Sequence, residues 1–169
     1  MELRSVEELM DLLYACRGVR GAACPGGAPV DLHDHALQTA ALLRRSRPAD
    51  KELQVAGLVQ AVGQLLGPSG PVGRARLAAG AVGPLLGERV ARLVRLRVPA
   101  PDRGTVPDDG RADDHSDDHA DDHVMEDVLL LRQADESART AGLDAGVLED
   151  WRTVLELVSS RHTRLGAVD

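Results

Sequence analysis

Three histidines recur at a four-residue spacing in "ADDHSDDHADDHVMED", each preceded by a pair of aspartates. If that run is helical, His115, His119 and His123 advance about 40° per step around the axis, so neighbouring pairs share a face. A histidine pair at i, i+4 flanked by carboxylates can chelate Zn, Ni, Co or Cu. Aspartate, however, is a poor helix former, and a repeated acidic triplet also suits a solvated low-complexity loop. A loop is the expected form, with any Zn, Ni or Co there weakly or adventitiously bound.

Other chemistry-bearing side chains are spread along the chain. "LVQAVGQLLG" carries Gln60 and Gln64 one helical turn apart in an otherwise apolar segment, "DLHDHALQTAALLRR" carries His35, and "LRQADESAR" carries Asp135. A single helical histidine is ordinarily a hydrogen-bonded core residue. Asp135 has Arg132 and Arg139 within helical reach as ion-pair partners. The two glutamines would bridge backbone or side chains in a polar pocket.

Helices are the elements available to position these groups. Ser5 and Glu8 form a capping-box signature ahead of the stripe Val6, Leu9, Leu12 and Leu13, which predicts a helix ending near Ala15. The Gly/Pro-rich "GVRGAACPGGAPV" interrupts the chain. A second helix is predicted from Asp31 to Arg45. A third, capped by Asp50, covers "KELQVAGLVQAVGQLLG", whose apolar residues surround the axis and mark a central buried helix ended by Gly67 and Pro68. "GRARLAAGAVGPLLG" and "ERVARLVRLRV" follow as the fourth and fifth, the latter with the stripe Val90, Leu93, Val94 and Val98. From Pro99 to Asp122 apolar content nearly vanishes and an acidic loop is predicted. Helix resumes in "VMEDVLLLRQADESARTAG" and closes in "VLEDWRTVLELVSSR", with Trp151, Val154, Leu155 and Val158 inward. No alternating strand pattern occurs, so the prediction is an all-α bundle of about six to seven helices in one domain spanning residues 1–169.

Composition narrows the classes further. Of 169 residues 43% are hydrophobic, yet there is no Phe, one Tyr (Tyr14) and one Trp (Trp151), so the core must be Leu, Val and Ala packed closely through small residues. The net charge of −7 is concentrated: Asp108 to Asp127 holds ten acids and one arginine, and the rest carries 17 acids against 19 bases. Those bases are interleaved with acids and lack an aromatic platform, which argues against nucleic acid. Nineteen arginines against one lysine, Lys51, point to a GC-rich, bacterial genome. No apolar run reaches 18 residues and the N-terminus lacks a signal-peptide layout, so a soluble cytoplasmic protein with no membrane partner is expected. Cys16 and Cys24 are expected to remain reduced thiols.

Several ordered segments together resemble the HD-domain superfamily, most nearly its small members that include mixed-valent di-iron oxygenases cleaving phosphonates. "HALQTA" is similar to that branch's first-histidine motif, "GERVARLVRLRVPA" to a later helix, "LLLRQADESART" to its C-terminal aspartate helix and "GLDAGVLEDWRTVLELV" to its closing helix. The resemblance covers about residues 6–98 and 124–158, and implies an HD-type helical bundle. In that family, histidines and aspartates from several helices converge on one or two metal ions. Matched residue by residue, His35 takes the place of the first ligand and Asp135 that of the last. Gln60 and Ala61 stand where the adjacent His-Asp pair belongs, Gln64 at the next motif histidine, and Arg74 and Arg97 at further ligand positions. The branch's Tyr and Glu that gate its substrate loop would fall near Pro25 and Ala28, and are absent.

The resemblance therefore implies an HD-like protein whose metal centre has been dismantled, since a glutamine amide is a poor ligand for iron or zinc and Ala61 supplies none. Arginines in the old cavity would suit an anion or pair with Asp135. The expected function is a non-catalytic module that binds a small molecule or a protein, such as an active relative, as monomer or homodimer and without a cofactor. A repurposed metal-free enzyme is the second expectation, with His35 as acid/base and Arg97 or Gln60 orienting a polar or anionic substrate. The third is a metal-binding protein, or a metal-dependent oxygenase or phosphohydrolase, using the DDH repeat.

Overall fold

Short polar side chains start the first three helices. Ser5 Oγ accepts from Glu8 N at 3.2 Å and opens α1 (Val6–Ala15). The Glu8 carboxylate answers at Arg4 N, 2.8 Å away, one residue before the reciprocal position of a capping box. Asp31 caps α2 (Leu32–Ser46) by accepting from His33 N and Asp34 N, and Asp50 caps α3 (Lys51–Val59) by accepting from Leu53 N. The structure, a computed structural model, describes residues 1–21, 29–99, 118–140 and 142–166. Among the described residues four further helices follow, α4 (Pro71–Leu86), α5 (Glu88–Leu96), α6 (Asp118–Ser137) and α7 (Arg152–Gly166). There is no strand among them, only an isolated bridge between Arg20 and Asp31. Among the described residues the fold is all-α, a bundle of seven helices as the hydrophobic patterning requires.

α3 is the axis of the bundle. Every residue from Leu53 to Val59 is buried, and α3 packs against α2, α5, α6 and α7. Around it the core is built from leucine, valine and alanine with one large aromatic, Trp151, over which the Arg44 guanidinium stacks 4.0 Å from the ring centroid. Each fully buried leucine adds roughly 2 kcal/mol of transfer free energy, so such a core needs no Phe to hold. Buried Gln54 is structural: its Nε2 donates to the carbonyls of Arg47 (2.7 Å) and Pro48 (3.1 Å), tying α3 to the turn that follows α2. Trp151, Leu155 and Val158 are buried and Val154 half-buried, as the stripe on the closing segment predicts, with Leu148–Trp151 forming a short 3₁₀ turn ahead of α7.

Three expectations are corrected. The segment predicted as one long α-helix changes hydrogen-bonding pattern at Gln60, where Gln60–Gln64 forms a 3₁₀ turn. The reason is tertiary: a Cβ on Gly63 would sit 2.2 Å from the Arg74 carbonyl, so α4 crosses here against bare backbone. The predicted fourth helix starts earlier than its sequence signal, with Pro71 in the first turn where a missing N–H costs nothing. α4 then turns into α5 at Gly87, whose φ of 96° only glycine adopts cheaply. Finally, the acidic loop expected to reach Asp122 is already helix from Asp118. Residues 100–117, with His115, lie outside the described residues, as do Cys24, Pro25 and Ala28. Cys16 is buried and unpaired; burial first, and the nearby Asp31 charge second, push its thiol up to about 11.

Candidate functional site

Five elements bring the predicted residues together. α2 supplies His35, the 3₁₀ turn Gln60 and Gln64, the end of α5 Arg97, and α6 Asp135; Arg74 from α4 joins the wall. All six line one cavity of about 180 Å³, together with Arg139. His35 is buried because its face of α2 packs toward α6, and Gln60 because it follows directly on the central helix. Arg97 caps the C-terminus of α5, whose last carbonyls are clamped from α6: Arg132 Nε donates to Arg97 O at 2.6 Å and Nη2 to Leu96 O at 2.7 Å. Arg132 is thus a positioning residue for the α5 terminus, and Asp135 pairs instead with Arg139.

Asp135 is the hub. Its Oδ1 accepts from His35 Nε2 at 2.8 Å and from Gln60 Nε2 at 2.9 Å, and its Oδ2 from Arg139 Nη2 at 3.3 Å. Because the carboxylate is an acceptor, His35 presents an N–H at Nε2, and the Gln60 amide is oriented with Nε2 toward Asp135. Burial pushes the Asp135 carboxyl up, but the hydrogen bond and charge of His35 and the charges of Arg97 and Arg139 outweigh it, holding the group below the ordinary carboxylate range. Burial lowers Arg97, the Asp135 charge opposes that, and Arg139 adds to it, so the guanidinium lies below its ordinary value.

What the cavity leaves unpaired is more telling than what it pairs. Among the described residues six buried side-chain polar atoms lack a hydrogen-bond partner, and four belong to residues of this wall: His35 Nδ1, Gln60 Oε1, Arg97 Nε and Arg139 Nε. Buried polar atoms are ordinarily satisfied, and clusters of exceptions point to water or a ligand. Among the described residues three arginines, Arg74, Arg97 and Arg139, line the space against a single carboxylate, Asp135. Arg74 is anchored by its Nε to Ser69 O at 2.6 Å.

This donor set does not fit the metal pair that the resemblance implies for the family. His35 Nε2 and Asp135 Oδ1 are spent on one another, Gln60 donates into the same oxygen, Ala61 offers no ligand atom, and arginines supply fixed cations. General acid/base work by His35 is also poorly served, because Nε2 is engaged and Nδ1 is buried. At the DDH run, the backbone of both His119 and His123 belongs to α6, and the side chain of His123 is exposed. No group of three or more His, Cys, Asp or Glu able to hold a metal occurs among the described residues.

Sequence reading missed Arg139 as part of the wall. Its only signal is the four-residue spacing from Asp135, which reads as a surface ion pair. In comparisons with known proteins, no family model matches the chain and no curated protein matches it significantly. No helix among the described residues is long and apolar enough to cross a membrane.

Proposed function

We propose that this chain is an HD-type helical domain without the HD metal centre, and that it binds a small anion in the cavity between α2, α5 and α6. The observation that carries this reading is the cavity wall itself: among the described residues it sets three arginines against one carboxylate, with Arg97 Nε buried and unpartnered. A desolvated guanidinium is costly unless an acceptor meets it, and its planar fork suits a carboxylate or phosphate. The engaged Nε2 of His35 favours binding over catalysis.

The test is ligand-induced stabilisation. Tag-free protein in low-salt buffer is titrated with sodium acetate, propionate, lactate and phosphate, and unfolding temperature is followed alongside calorimetric titration. At least one anion should raise the melting temperature with saturation, by several degrees at a hundredfold excess over its Kd. Arg97→Met should abolish the rise. If no anion binds, or if Arg97→Met binds as well as wild type, the proposal fails.

A further inference from the structure

Resting on the anion-binding reading, the geometry points to a ligand class narrower than "anion": we infer that the cavity takes a short hydroxycarboxylate. Size sets the first limit. A space of about 180 Å³ is close to the engineered cavity of about 150 Å³ that holds benzene, which allows about six heavy atoms. Charge sets the second. Among the described residues three arginines and one aspartate line the space, so the ligand brings negative charge, and an ammonium group on it would be repelled.

Hydrogen-bond inventory sets the third limit. Gln60 is only 2% exposed, its Nε2 is committed to Asp135, and its Oε1 has no partner. An amide oxygen is an acceptor only, so the group that completes it must be a donor. A ligand made solely of carboxylate and methylene groups leaves Oε1 unpaired, and a ketone oxygen meets it with repulsion. A hydroxyl is a neutral donor, and it can also accept. The Gln64 amide, which lines the same space and makes no hydrogen bond among the described residues, can donate to that hydroxyl oxygen or to the carboxylate. Arg97 then takes the carboxylate in its fork, and Gln60 reads the hydroxyl.

The experiment compares near-isosteric ligands that differ at one group. Lactate, propionate, pyruvate and alanine present a hydroxyl, a methylene, a carbonyl and an ammonium beside the same carboxylate; inorganic phosphate serves as the tetrahedral competitor. Calorimetric titration at fixed ionic strength should give lactate about tenfold tighter than propionate or pyruvate, the difference one hydrogen bond to a buried group supplies. Alanine should bind weakest. Gln60→Met should bring lactate level with propionate, whereas Arg97→Met should remove both. Propionate or pyruvate binding as tightly as lactate, or phosphate outcompeting all four, overturns the hydroxycarboxylate assignment and leaves the anion-binding reading standing. Failure of every anion to bind overturns both. If Gln60→Met does not fold, the wild-type ranking alone decides.

Discussion

A single oxygen, Oδ1 of Asp135, receives donors from α2 and from the turn after α3, while its partner oxygen meets Arg139 in the turn that follows α6. Its carboxyl is held below the ordinary range, so it contributes stability that is fully present above the unfolded value, near 3.9, and is lost as pH falls through the folded one. Asp135→Asn should cost about 1–2 kcal/mol in urea unfolding at pH 7. The gap between wild type and variant should shrink as the titration moves toward pH 3; a gap that is constant with pH would contradict the hub role. Arg97 behaves in the opposite sense. Its buried guanidinium is a liability in the empty protein, so Arg97→Met should raise the ligand-free melting temperature by about 3 °C. That gain would accompany lost anion binding, a trade of stability against function seen at strained sites. A lower melting temperature would mean Asp135 repays Arg97 in full.

Elements show where sequence is legible and where it is not. Helix starts were readable because Ser5, Asp31 and Asp50 carry their own signal: a short oxygen that meets the first free N–H groups. The break at Gln60 had no such local mark, since it depends on the Arg74 carbonyl arriving from another helix. Gly63→Ala should therefore destabilise by about 3 kcal/mol in chemical denaturation, despite alanine's better helix propensity. The site was half legible in the same way. His35, Gln60 and Asp135 follow from motif order, but Arg139 sits where spacing alone suggests a surface pair. α6 is tied to the capped start of α3 by Arg89, which reaches Asp50 (2.7 and 2.8 Å), Glu52 (3.0 Å) and Asp127 (2.9 Å) at once. Its partners, the Asp50 hydrogen bond above all, push the guanidinium above its ordinary value against the effect of burial. Arg89→Met should lower stability by about 2 kcal/mol, leaving three carboxylates together without their cation, and added salt should narrow the deficit.

At the scale of the molecule, charge and core are segregated. The acidity lies in one stretch, while the body is nearly neutral around a core of leucine, valine and alanine. Because the chain has no Phe and a single Trp, that indole is the optical centre of the whole protein. Trp151 is 1% exposed, capped by Arg44, and absent from the cavity wall. Its emission therefore reports one event, the packing of the turn ahead of the closing helix, where Arg44 of α2 lies over the indole, and is blind to the local state of the cavity. Ligand addition should leave the native spectrum unchanged and move only the temperature at which it shifts red. The molecule thus carries a built-in thermometer of global folding, set apart from the site whose occupancy it would be used to measure.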